Sequence, residues 1–249
     1  MQAIAQPVAL AKLLGMLTSW VRSRRDRTGA AAVLALFLGS ASAQEKAVPH
    51  SGQPVMSLDV RSFRPVEGPS SGPEVYYSVI TADSEGTFLR GGYHPGLETV
   101  TMGIEVPEQA RRSARRLRWR WRARAFPAQG NECRPGRGDS AASVVAAFKR
   151  GLKWYLLKYV WSSVGPLGAV CDQKRTLLLA RDTIVLESGG VLGVWLTEVV
   201  DLRRAFVNHF AKGDPHADVP DLVGVAVMTD GDQTNSESGA DWGGFEIVY

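Results

Sequence analysis

The sequence predicts a mainly β protein: a single-domain, jelly-roll-like antiparallel β-sandwich with one amphipathic helix near the C-terminal third. Three observations carry this expectation. Short apolar or aromatic runs recur along residues 55–249 with Gly, Pro, Ser and Asp clusters between them, the pattern of strands joined by turns rather than by crossover helices. Residues 115–126, RRLRWRWRARAF, alternate between apolar residues and arginine, and a period of two makes two distinct faces only in a strand. One segment, residues 198–212, changes to helical spacing, with Val199, Leu202, Phe206 and Phe210 on one side.

The first 43 residues read as a signal peptide or N-terminal leader. Arg22, Arg24, Arg25 and Arg27 precede the apolar run GAAAVLALFLG, and Ala41 and Ala43 supply a small-x-small cleavage pattern. An earlier semi-apolar stretch, residues 8–21, lengthens the segment before that run, and neither stretch reaches the length of a membrane span. The leader holds five basic residues against Asp26, a net charge of +4 that equals the charge of the whole chain. Residues 44–249 are therefore neutral, with 24 basic and 24 acidic groups. The basic isoelectric point belongs mostly to the leader and is poor evidence for a nucleic-acid partner, which is not expected.

Residues 44–54 read as a linker, and residues 55–249 are long enough for one substantial core. Strands are expected at residues 55–63, in the aromatic run EVYYSVIT, and at residues 87–90 and 99–106. The stretch RPVEGPSSGP reads as a loop. In residues 115–126 the strand reading puts Leu117, Trp119, Trp121, Ala123 and Ala125 on one face, with the tryptophans in the core. Arg118, Arg120, Arg122 and Arg124 then lie on the wet side or pair with carboxylates; a polyanion-binding strip is the sharper alternative. Residues 141–148 suit a strand or a short helix, and WYLLKYVW a buried strand. Residues 176–186, 222–229 and 242–249 complete the strands, with the helix between. Cys133 and Cys171, the only cysteines, suit one disulfide in an oxidising compartment, the plainer alternative being two unpaired cysteines in turns. No CxxC pair or Cys/His cluster supports a zinc or thioredoxin-like site. The tripeptide Arg137, Gly138, Asp139 matches an integrin-recognition pattern, at a length that arises readily by chance.

The ordered blocks LRWRWR, GDSAASVVAAF, LKYVWSS, IVLESG and VGVAVMTDGDQTNSESGADW resemble a family of exported bacterial proteins defined as a domain of unknown function. The resemblance implies an extracytoplasmic β-sandwich and brings no activity with it. It places Asp230, Asp232 and Thr234 on an Asp-x-Asp-x-Thr loop. Gly231 and Gln233 stand where Thr and Asn are expected, Gly244 stands near an expected acid, and Ser140 and Ser143 replace an expected Asp and Arg. If those side chains serve a ligand, this chain binds it weakly or not at all.

The candidate site is this polar loop between an apolar and an aromatic strand. Asp230, Asp232, Thr234, Asn235 and Trp242 are the candidate ligand-binding residues, and Asp230, Asp232 and Asn235 the candidate metal ligands. Their oxygens suit a hard cation such as calcium. The spacing is not that of an EF-hand, since the twelfth position from Asp230 is Asp241 rather than Glu. The plainer reading is a solvated turn whose Asp and Asn side chains cap nearby amides. No H-E-x-x-H, G-x-S-x-G, dinucleotide-binding or P-loop pattern occurs, so no catalytic residue and no nucleotide or redox cofactor is assigned. Three functions remain. The leading one is a periplasmic or secreted protein that binds a saccharide or another cell-envelope ligand. The others are a carbohydrate-active enzyme with a carboxylate pair drawn from Glu187, Glu198, Asp230 and Asp232, and a non-catalytic structural or interaction domain.

Overall fold

The computed structural model describes residues 54–67 and 75–249. The expected leader, and the expected linker apart from Pro54, lie outside the described residues. The described residues form a two-sheet β-sandwich. One sheet contains β1 (Val55–Leu58), β3 (Tyr77–Ala82), β4 (Gly86–Tyr93), β6 (Arg116–Ala125), β11 (Leu196–Asp201) and β13 (Ser238–Val248), in the order β11-β6-β13-β4-β3. The long β13 also pairs through its second half with β1. The other sheet contains β2 (Arg64–Glu67), β5 (Thr101–Glu105), β7 (Ser140–Arg150), β8 (Lys153–Ser162), β9 (Val170–Arg175), β10 (Leu179–Ser188) and β12 (Asp221–Met228). Its order is β2-β5-β12-β7-β8-β10-β9. The helices are α1 (Glu108–Arg111) and α2 (Leu202–Phe210). Among the described residues no helix is long and apolar enough to cross a membrane.

The alternation in β6 sets the inner face of the first sheet. Leu117, Trp119, Trp121 and Ala123 are completely buried. The two indoles meet edge to face at 5.5 Å, and each touches an aromatic of β8, Trp119 against Tyr159 and Trp121 against Trp161. Aromatic contacts of this kind add to the burial of apolar area. Trp242 sits opposite Trp121 on β13 and is 0% exposed. It belongs to the core, which corrects its assignment as a ligand-binding residue: residue 242 falls on the inward phase of the strand.

Two further differences from the sequence reading have local causes. The expected helix over residues 198–212 is confined to α2, and the residues just before it form β11. Val199 and Val200, both β-branched, pair there with Arg118 and Leu117. Asp201 ends the strand and caps the helix, its Oδ1 accepting the Arg204 amide at 2.8 Å. Within the mainly antiparallel fold, β8 and β10 run parallel. The chain leaves β8, passes over one strand position to lay down β9 at the edge, and returns by a hairpin into the gap as β10. The edges of this sheet are β2 and β9. β2 carries Pro65 and β9 several charges, residue types that blunt an open edge.

Cys133 and Cys171 form a disulfide, with Cα atoms 4.8 Å apart. It ties the loop between β6 and β7 to the edge strand β9, across 38 residues of sequence. Closing a loop of that length removes about 4 kcal/mol of unfolded-chain entropy on the chain-entropy model. Cys133→Ser/Cys171→Ser should therefore lower unfolding stability by about 2–4 kcal/mol in urea titrations. A midpoint unchanged by the double substitution would show that β9 and the loop are held without the bond.

Candidate functional site

Two loops meet at one end of the sandwich because β7 and β12 are antiparallel neighbours, with Met228 opposite Ser143. The residue that enters β7 is Asp139, and the loop that leaves β12 carries Asp230 and Asp232. The amide of Asp230 donates to the Ser140 carbonyl at 3.2 Å, extending the pairing past the end of β12. Gly231 is required by the closure of this loop. A Cβ there would lie 2.0 Å from the Ser236 carbonyl oxygen and 3.0 Å from the Tyr93 ring. Asn235 takes a left-handed conformation, φ 49°, at the exposed end of the turn.

Asp139 and Asp230 are buried and Asp232 is exposed, with one carboxylate oxygen from each lying within 4.8 Å of the others. Asp139 accepts the amide and the hydroxyl of Thr234, both at 2.6 Å, and the Gln233 amide at 3.3 Å. Thr234 thus holds a carboxylate in place. Asp230 accepts the Thr99 hydroxyl at 2.9 Å and the Asp232 amide at 3.3 Å. Burial, and then the neighbouring charges of Asp232 and Asp139, push the Asp230 carboxyl up to about 7, against the opposing pull of Lys158 and the Thr99 hydrogen bond. Asp232 is raised as well, by partial desolvation of its carboxyl, although the residue as a whole is exposed, and by the charge of Asp139. Carboxylates this close cannot all ionise cheaply, and the group retains a proton.

A tyrosine cluster underpins the loop. The Tyr77 hydroxyl accepts the Thr229 amide and donates to the Val100 carbonyl, both at 3.0 Å. The Tyr76 hydroxyl accepts the Val100 amide at 2.8 Å and donates to the Thr229 carbonyl at 3.2 Å. These bonds lock the backbone beside Thr99 and beside Asp230. The Tyr76 ring stacks on Tyr77 at 4.8 Å and meets Tyr93 edge-on at 5.6 Å. Burial pushes Tyr93 up to about 12, helped by the negative field of Asp230, Asp232 and Asp139.

On their other side, Tyr76 and Tyr93 wall a groove of about 480 Å³ on the outer face of the first sheet. Its floor includes the cross-strand pair Gly92 and Gly239. A Cβ at Gly92 would meet nothing within 4 Å, so the sheet is bare there. Arg90 and Arg124 line it, and Glu237 and Ser238 reach it from the loop that carries the acids.

Of the expected site residues, Asp230 and Asp232 come together, Thr234 positions a third carboxylate, Asn235 lies at the turn's exposed end and Trp242 is in the core. Glu198 is buried on β11 opposite Trp119, and Glu187 lies on β10. Sequence reasoning missed Asp139, Thr99 and the three tyrosines. Asp139 stands directly before a strand, as Asp230 follows one, but only the strand order brings those two strand ends together.

Residues 99–246 match the model of a family described as "Protein of unknown function (DUF3047)". No curated protein matches by sequence. Among solved structures, the catalytic domain of Humicola grisea Cel12A, in complex with a soaked thio cellotetraose, overlaps 70% of this chain and 84% of its own at 8% identity and TM-score 0.39. Trichoderma harzianum endoglucanase 3, from family GH12, overlaps 81% and 99% at 10% identity and TM-score 0.34. The xyloglucanase domain of NopAA, a type three effector from Sinorhizobium fredii, in complex with cellobiose, overlaps 81% and 98% at 8% identity and TM-score 0.35. Overlaps of this quality carry no activity across. The family match covers more than half of the chain, and the chain belongs to the family Protein of unknown function (DUF3047).

Proposed function

We propose that the chain is an exported carbohydrate-active protein that lays a saccharide on the bare floor of the groove and uses the Asp230–Asp232 pair to deliver a proton to it. The observation that carries this reading is the carboxyl of Asp230, buried and raised to about 7 beside a second acid. A group that holds its proton near neutral pH suits general acid catalysis, in which the acid must be protonated and still able to give the proton up. Asp232 is the exposed member and presents the proton, Asp230 holds it in reserve, and Asp139 positions the turn through Thr234. The loop that bears the pair also supplies Glu237 to the groove, and Tyr93, which lines the groove, feels the field of Asp230 and Asp232. Export through residues 1–43 to the periplasm or beyond fits the disulfide, which persists in oxidising compartments.

One observation favours a second reading. Calcium binds oxygens at about 2.3–2.6 Å, and ligands around one ion then lie up to about 5 Å apart, the spread of the three carboxylates. In that reading the ion replaces the retained proton, and Asp139, Asp230 and Asp232, with Asn235, hold it.

Release of reducing ends from a panel of envelope and plant polysaccharides between pH 4 and 9 separates the two. The acid-pair reading expects activity that falls as pH rises through about 7, persists in EDTA and drops by about 100-fold or more in Asp232→Asn. The cation reading expects a calcium-dependent rise in Tm that EDTA and Asp232→Asn abolish. No sugar release on any substrate and no binding in the groove would overturn the carbohydrate reading.

Stability should also depend on pH through Asp230. The native carboxyl keeps its proton up to about pH 7, whereas the unfolded chain releases it near 3.8. Between those values the native state binds more protons, so stability is greatest at the acid end and falls as pH rises to about 7. Asp230→Asn, measured in EDTA, should be near wild type below about pH 4 and increasingly more stable as pH rises to 8, by up to about 4 kcal/mol. Equal stability of the two proteins at pH 8 would show that Asp230 ionises freely in the fold.

A further inference from the structure

The outer face of the first sheet carries more positive charge than its own acids neutralise. Arg118, Arg120, Arg122 and Arg124 project from β6 and Arg90 from β4, against Asp241, Glu85 and Glu246. Arg118 pairs with Glu246 at 2.8 Å, and Arg122 with Glu85 at 2.7 Å. Asp241, 0% exposed, serves three arginines at once. It accepts Arg90 Nε at 2.8 Å and Nη2 at 3.0 Å, and Arg122 Nε at 2.7 Å, with Arg124 Nη1 at 3.7 Å. With Glu85 taking the two Nη atoms of Arg122, Asp241 is left as the one carboxylate for both Arg90 and Arg124. The excess lies where Arg90 and Arg124 line the groove, their side chains 33% and 44% exposed. The single carboxylate in the groove lining is Glu237, which sits 3.2 Å from His94.

We propose that the groove selects an anionic saccharide, one that bears a uronic-acid carboxylate, and that Arg124 together with Arg90 receives that carboxylate over the glycine floor. This rests on the reading of the groove as a saccharide site and adds the chemical class of the sugar. The guanidinium plane presents paired N–H donors that match a carboxylate, and such charge-assisted bonds are among the stronger ones. Asp241 fixes Arg90 by two of its nitrogens, so this donor is oriented before the ligand arrives and little side-chain entropy remains to be lost. Open space above Gly92 lets a sugar ring approach the sheet between the two arginines that line the groove. The volume, about 480 Å³, falls in the roughly 300–1,000 Å³ range of small-ligand sites and holds a few sugar rings rather than a long chain.

The test is calorimetric binding of uronate oligosaccharides from galacturonan, alginate and glucuronan, each beside its carboxyl-reduced counterpart, which keeps the ring and linkage and lacks the charge. At least one uronate should bind, and its reduced form should bind roughly 10–100-fold more weakly. Arg124→Gln should weaken the uronate by a similar factor and leave the reduced sugar unchanged. Gly92→Leu fills the groove at a position where a side chain meets no neighbour, and should abolish binding of both without loss of Tm. Equal affinity for charged and reduced forms, or binding of neutral oligosaccharides only, would overturn the anionic class and leave the saccharide reading standing. Binding of none of them would overturn both.

Discussion

Strand β6 places tryptophans on one side and arginines on the other, and the first sheet is built around that division. The inward phase requires aromatic partners from the second sheet, which Tyr159 and Trp161 supply. The outward phase requires acids on neighbouring strands, and β13 supplies Asp241 and Glu246 at the matching positions, opposite Arg122 and Arg118. A one-residue slip of β13 against β6 would bury Asp241 among the tryptophans and expose Trp242, so packing and charge select the same register. The register in turn places Gly239 beside Gly92, and it is at Gly92 that the groove floor is open.

The acidic end depends on this core through the tyrosines. Tyr77 lies against Trp242, with ring centroids 6.1 Å apart, while its hydroxyl joins Val100 to Thr229. A ring held by the core at one end and bonded to two backbones at the other fixes where Thr99 and Asp230 can stand. Its ring also fills the space at Gly91, where a Cβ would lie 2.6 Å from Tyr77 Cε1. The loop's own devices, Gly231 and the Asp139–Thr234 bonds, complete the placement. The site is therefore preorganised by contacts that reach from the indole layer to the rim.

What could be read from the sequence follows the range of the interaction. The β6 alternation is a local period, and Trp119, Trp121 and the arginines fell on the expected faces. The pairing of Cys133 with Cys171 followed from there being only two cysteines. Trp242 was misread because the register shifts between Gly243 and Glu246, so that Trp242 faces inward together with Phe245 and Ile247, which strict alternation would place on the other face. The edge strand β9 was missed because VCDQKR is mostly polar, as an edge allows. Residues 198–201 had helical spacing yet joined β11, because the edge of β6 offered them partners. Asp139 could not be assigned to the site at all, since its neighbours Asp230 and Asp232 are about ninety positions away and adjoin it only through the order of β7 and β12.

The two charged features lie close together yet do not neutralise each other. Asp230, Asp232 and Asp139 crowd negative charge at the rim, while Arg90 and Arg124 keep positive charge in the groove. The cation that acts most strongly on Asp230 is Lys158 of β8, on the second sheet, rather than an arginine of the first. Tyr76 and Tyr93 stand between the groove and the acids, lining the one and feeling the field of the other. A fold selected for stability alone would let such groups pair, because a retained proton on a buried acid and an excess of guanidinium both cost free energy. Local conflict of this kind is expected where a site is prepared for a ligand. A ligand that brings its own negative charge to the arginines relieves the excess of guanidinium there, whereas at the acids it is the proton on Asp230 that limits the crowding of negative charge.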